Sequence, residues 1–171
     1  FGRVTLDNGN NRGTNTVFDS SSDLLVLGQA IGVLSGTWSG QNVRVESNGV
    51  LRTVSESLAT ISVSGDVFVA DGGVISADGL AKFGSSIGYS SAGLPGGGGS
   101  YGGTGGGNPL TPALAYGSVQ SPNAPGSGGG NGSLIGGSYP GGYGGGALKI
   151  IAGGNVTVNG IDHFLYTHFM R

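Results

Sequence analysis

Along the first eighty residues apolar and polar side chains alternate in short runs, and each run ends at a corner rich in glycine, aspartate or asparagine. Residues 60–79, TISVSGDVFVADGGVISADG, show the pattern most fully. Ile61 and Val63, then Val67 and Val69, stand two apart, and Ile75 is the apolar centre of the next run. That spacing places these side chains on one face of an extended chain and turns Ser62, Ser64 and Phe68 to the other. Gly65-Asp66, Asp71-Gly72-Gly73 and Asp78-Gly79 are turn sequences that tolerate positive φ. The stretch therefore predicts three short strands with sharp corners, one coil.

The same reading extends towards the N-terminus. Val4-Thr5-Leu6 is a strand closed by Asp7-Asn8-Gly9, with a polar loop running to Asn15. Residues 23–36, DLLVLGQAIGVLSG, are apolar enough for a helix, but Gly28 and Gly32 would each cost about 1 kcal/mol in a helix interior. Strands with glycine corners are predicted instead.

The coil is repeated. Residues 43–51, VRVESNGVL, match 67–75, VFVADGGVI, at an offset of 24, so that Val43 falls on Val67, Val45 on Val69 and Leu51 on Ile75. At a further offset of 89, Ile150, Gly154, Asn155, Val156 and Val158 fall on Ile61, Gly65, Asp66, Val67 and Val69. Repeats of this length built from very short strands predict an all-β fold, a parallel β-helix or β-solenoid. Val43, Val67 and Val156 form one expected interior ladder, and Val45, Val69 and Val158 the next. Arg44, Phe68 and Thr157 share an outward column with no common chemistry.

Residues 84–146 interrupt the pattern and hold 25 of the 40 glycines and five of the six tyrosines. Composition alone fits a flexible linker. Both ends, however, lie inside the repeat, which predicts an ordered flap over one solenoid face. In such a flap, extended polyproline-II-like segments approach closely at glycine, and Tyr89, Tyr101, Tyr116, Tyr139 and Tyr143 cover the backbone. The chain, 1–171, then reads as a single solenoid domain with a 84–146 insertion. Without the flap about 110 residues remain, about five coils, rising about 24 Å at the strand spacing.

Composition narrows the functions. Only 9% of residues are charged, against roughly 25% in an average soluble domain. A net charge of −2 supplies no field for nucleic acid. There is no cysteine for disulfides or thiolate metal sites, and no apolar run approaches the roughly 18 residues of a membrane span. The start at Phe1 suggests a processed form or, preferably, a piece of a longer chain.

The succession GGGGSYGGTGGG, AYGS, PGSGGG and GGYGGGALKIIAGGNVTVNG resembles the glycine-rich β-solenoid repeats of large secreted and cell-surface proteins of protists and bacteria, over roughly residues 40–161. The resemblance implies an extracellular structural or adhesin-like role and no active site. The tail, 162–171, departs from its expected further strand and glycine turn.

Catalytic chemistry finds little support. Asp66, Asp71 and Asp78 stand at expected corners, where Asp bonds the turn backbone, and Arg44, Arg52 and Lys82 have no distinctive catalytic spacing to them. His163 and His168 lack the Glu or Cys that would complete a metal set. The Asp7-Asn8-Gly9-Asn10-Asn11 loop is oxygen-rich but lacks the calcium repeat GGxGxDxUx. The GxGxxG-like matches of the glycine tract have no βαβ context for a nucleotide. No cofactor or metal is expected. Thr14-Asn15-Thr16 alone is too little for an ice-binding array.

Two sequons, Asn131-Gly-Ser133 and Asn155-Val-Thr157, are glycosylation candidates, Asn131 the better placed in the glycine tract. An uncapped solenoid end is an open edge, so the expected partner is the same unit again, in a homopolymer or as repeats of a longer chain. The leading expectation is a structural subunit that assembles head to tail. The alternatives are a module whose flap tyrosines contact glycans and, third, a polysaccharide-degrading enzyme.

Overall fold

The computed structural model describes residues 2–18, 23–53, 56–78, 96–106, 113–134 and 137–163. The chain divides into two compact units. One comprises Phe1–Ser55, Ala59–Ala77 and Leu148–Arg171, the other Glu56–Leu58 and Asp78–Ala147.

The first unit is a parallel β-solenoid. Its first sheet stacks β1 (Arg3–Asp7), β3 (Asp23–Leu27), β6 (Val43–Val45), β9 (Val67–Val69) and β14 (Val156–Val158) in that order. The second stacks β2 (Asn15–Val17), β4 (Ile31–Leu34), β7 (Val50–Thr53), β10 (Val74–Ser76) and β15 (Ile161–His163). The third holds β5 (Thr37–Gly40), β8 (Ala59–Val63) and β13 (Leu148–Ala152). Every neighbouring pair in these sheets is parallel. The fold class and the coil expected over residues 60–79 are thus observed, and 23–36 forms strands rather than a helix.

Val4 pairs with Leu24, Leu24 with Val43, Val43 with Val67 and Val67 with Val156, so successive coils advance by 20, 19, 24 and 89 residues. The variation falls largely at one corner, between the second and third sheets. It is crossed by two residues between β4 and β5, five between β7 and β8, and the whole glycine-rich segment between β10 and β13.

The core is a set of columns one side chain wide. Leu24, Val43 and Val67 are at most 2% exposed, as are Val26, Val45 and Val69, the next column of the same sheet. Leu51 and Ile75 fill the second sheet, and Trp38, Ile61 and Ile150 stack in the third. Burying each such side chain contributes about 1.5–3 kcal/mol, and parallel in-register stacking repeats the contribution in every interior coil. Gly32 shows how closely the columns meet, because a Cβ there would lie 3.0–3.1 Å from Leu6, Leu51 and Phe18 side-chain atoms.

The corner between the first and second sheets is built on a left-handed residue in four coils: Gly9, Gln29, Asn48 and Gly72, with φ of 59–75°. Each stands three residues beyond the end of an inward pair. The Asn48 N–H donates to the Gly72 carbonyl, so the corners stack as the strands do. Asp71, one residue before Gly72, is exposed on this turn.

Among the described residues, the second unit contains one antiparallel pair, β11 (Gly132–Leu134) with β12 (Gly137–Tyr139), and extended glycine segments with no ladder of the β type. Within it the segment 126–130 lies between 96–100 and 141–145. Gly126 and Gly129 donate to Gly145 and Gly142, while Ser127 and Gly130 donate to Ser100 and Gly97. Bonds to either neighbour recur every third residue. That is the step of a threefold, polyproline-II-like chain and not of a strand.

The glycines follow the same step. A Cβ on Gly96 or Gly99 would stand 2.4 or 2.2 Å from the Gly130 or Ser127 carbonyl oxygen, and on Gly141 or Gly144 2.2 or 2.3 Å from that of Gly129 or Gly126. Gly142 and Gly145 face open space. Glycine serves here by lacking a side chain rather than by its φ, since of the described glycines in this unit only Gly117 is left-handed.

Candidate functional site

The outward face of the first solenoid sheet carries the most organised polar chemistry of the described residues. Asp23, Asn42, Asp66 and Asn155 occupy one register position, immediately before the inward pair of each coil. The Asn42 backbone N–H donates to Asp23 Oδ1 at 3.1 Å and its Nδ2 donates to the same oxygen at 2.9 Å. Asp66 N–H donates to Asn42 Oδ1 at 2.8 Å, and Asn155 N–H to Asp66 Oδ1 at 2.7 Å. Side-chain oxygens thereby tie four successive coils together.

The alternation of Asp with Asn has an electrostatic reason. Rungs are about 4.8 Å apart, where two carboxylates would repel by about 3 kcal/mol at an effective dielectric of 20. An amide between them doubles the separation and adds the Nδ2 donor. Asp66 is thus occupied at the corner. Asp71 follows β9 where Asp66 precedes it, so the strand holds the two apart, and Asp78 lies exposed on a turn beyond β10. No group of three metal-ligating side chains occurs among the described residues. Lys82 and His168 lie outside the described residues, and His163 is the last residue of β15.

The next outward column, Thr5, Leu25, Arg44, Phe68 and Thr157, has no chemistry common to all its members but holds one interacting pair. The Arg44 guanidinium carbon sits 4.4 Å from the Phe68 ring centre, and its Nε donates to Glu46 Oε1. Within the column this one pair interacts, because in-register stacking puts a cation one strand spacing from an aromatic face. Two shallow depressions, about 450 and 400 Å³, flank Arg44. Asp23 and Asn42 line the first, and Asn42, Asp66 and Asn155 the second.

Of the expected interior ladder, Val43, Val45, Val67 and Val69 are buried, while Val156 is half-buried and Val158 is 37% exposed in the last described coil. The two members without a described coil beyond them are the two that remain open.

The tyrosines divide by role. Tyr101 and Tyr116 meet edge to face, 5.2 Å between centres. The Tyr116 hydroxyl donates to the Pro125 carbonyl and that of Tyr101 accepts from the Asn123 N–H, so both fasten the 123–125 backbone. Burial, then Tyr101 close by, pushes the Tyr116 pKa above its usual 10, against a hydrogen bond with Ser127 that lowers it. Tyr139 and Tyr143 are 60% and 65% exposed, and Tyr89 lies outside the described residues.

The two sequon asparagines also differ. Asn131 is half-buried and its Oδ1 accepts from the Gly141 N–H at 3.3 Å. Asn155 is exposed, and its side chain has no hydrogen-bond partner among the described residues. Exposure therefore favours Asn155, the reverse of the order expected from glycine content.

The ladder left a signal in the sequence: each first-sheet strand from the second coil onward reads Asp or Asn, apolar, any residue, apolar, as in DLLV, NVRV, DVFV and NVTV. Compared with protein-family models, with curated proteins and with solved structures, the chain finds no match.

Proposed function

We propose that this chain is a structural module of an extracellular filament or matrix, joining head to tail through the end coils of its solenoid, with no catalysis in that role. One observation carries the reading: columns sealed in the interior coils are open at both ends of the described stack. Val4 and Leu6 in the first coil and Val156 in the last are only half-buried, and Val158 is 37% exposed. Open parallel edges with apolar side chains beside them are templates for another strand. The glycine-rich segments and sequons accord with the surface-protein repeats that the sequence resembles. Sedimentation and electron microscopy across a concentration series test the reading. Assembly growing with concentration is expected, and a monomer at every concentration would end it.

A second reading rests on Tyr139 and Tyr143, exposed aromatic rings of the kind that stack on sugars. It makes the glycine-rich unit a glycan-binding, adhesin-like module. Binding on a glycan panel that disappears in Tyr139→Ala and Tyr143→Ala is its expected signature, and a blank panel removes it.

A further inference from the structure

Every rung of the Asp–Asn ladder points the same way. The backbone N–H of the later coil donates to the side-chain oxygen of the earlier one, from Asn42 to Asp23, Asp66 to Asn42 and Asn155 to Asp66. The Asn155 oxygen, exposed and without a partner among the described residues, is the acceptor for one rung more. At the opposite end of the stack, Arg3 pairs in register with Asp23 and so holds the ladder position of the first coil. Its N–H stands where the other rung donors stand, with no earlier described coil to receive it.

Resting on the head-to-tail reading, we propose that a second copy of this chain supplies the missing rung: Asn155 Oδ1 of one copy accepts the Arg3 N–H of the next and fixes the register of the contact. The three rungs within one copy then gain a fourth across the junction. The same register sets Val4 on Val156 and Leu6 on Val158, continuing both inward columns of the first sheet. The contact joins unlike ends, so it propagates in one direction and does not close a twofold dimer.

The chain has no cysteine, which allows the register to be read by cross-linking. In-register neighbours are about 4.8 Å apart, within disulfide reach, whereas a slip of two residues opens the Cα separation to about 8 Å, beyond it. Arg3→Cys mixed with Asn155→Cys, and Thr5→Cys mixed with Thr157→Cys, should form disulfide-linked heterodimers under mild oxidation. The slipped mixtures, Arg3→Cys with Thr157→Cys and Thr5→Cys with Asn155→Cys, should link about tenfold more slowly or not at all.

All four sites are exposed, and unchanged thermal unfolding of each reduced variant checks that it is folded. Equal linking of matched and slipped mixtures, or homodimers of Asn155→Cys alone as the main product, overturns the proposal. If the unmodified protein assembles on sedimentation yet the matched mixtures do not link, the register fails and head-to-tail assembly stands. If it does not sediment and no mixture links, both fail.

Discussion

A hydrogen bond from a backbone N–H to a side-chain oxygen one coil below contributes little by itself, and its weight lies in what is left without it. Replacing Asn42 by Leu strips the exposed Asp66 N–H of its acceptor and the half-buried Asp23 of the Nδ2 donor. Losing hydrogen bonds of this kind costs about 0.5–1.5 kcal/mol. Asp66→Asn retains the acceptor for the Asn155 N–H and should stay within about 0.5 kcal/mol of the parent. Trp38, the single tryptophan and 6% exposed, reports solenoid unfolding by fluorescence in urea. Equal midpoints for Asn42→Leu and Asp66→Asn would show the ladder to be incidental.

Tyr116 makes a second prediction at the scale of one residue. Its pKa is raised in the folded chain, chiefly by burial, so the folded state holds that proton more tightly than the unfolded state. The resulting stability is complete below the unfolded value near 10 and is lost as pH rises through the folded value. Alkaline titration followed by tyrosine near-ultraviolet circular dichroism should show the glycine-rich unit loosening above pH 10. Tyr116→Phe should lose that pH dependence while being less stable at pH 7 by about 0.5–1.5 kcal/mol, the hydrogen bond to Pro125 being gone. An unchanged alkaline transition in the variant counts against this account.

Among the elements, the glycine segments make the sharpest contrast. Gly99→Ala and Gly141→Ala each drive a methyl group into a backbone oxygen at 2.2 Å, whereas Gly142→Ala meets nothing within 4 Å. Overpacking of this kind costs about 1–3 kcal/mol. Gly142→Ala should be neutral or slightly stabilising through the unfolded chain. Urea unfolding followed by the Tyr101–Tyr116 circular dichroism signal separates them, and similar midpoints for all three would refute the threefold packing.

The strands were legible because two-residue alternation in Val43–Val45, Val67–Val69 and Ile61–Val63 is a local consequence of burying one face. The 24-residue offset gave one inter-coil register directly, and the 89-residue offset gave another across the insertion. The 19- and 20-residue steps of the first coils escaped, since Leu24 and Val26 match Val43 and Val45 in polarity but lie beside different corners. The ladder escaped because Asp and Asn suit any turn. Only vertical stacking distinguishes a rung from an ordinary corner residue, and that is a property of two coils at once. Glycine-segment pairing is likewise non-local: the sequence shows where a Cβ is missing, not which backbone fills its place.

At the scale of the whole solenoid, the question is whether two unlike ends recognise each other, and end-blocking variants answer it. Val17 and Val158 lie in the first and last coils and are largely or partly exposed, so a charge at either leaves the core of the interior coils intact. Val17→Asp leaves the last coil unaltered, and Val158→Asp leaves the first. An ionised carboxylate buried unpaired in a strand contact is costly, so each variant alone should require at least about tenfold more protein to assemble, a change of about 1.4 kcal/mol. Mixed in equal amounts, the two should form dimers and stop. The free last coil of one takes the free first coil of the other, and both outer ends of the pair carry the added charge. A twofold contact between like ends predicts otherwise, with one variant dimerising alone and the other not at all. Sedimentation of the separate and mixed proteins distinguishes these outcomes. If both variants assemble like the parent, neither valine lies in the contact and assembly through the solenoid ends is excluded.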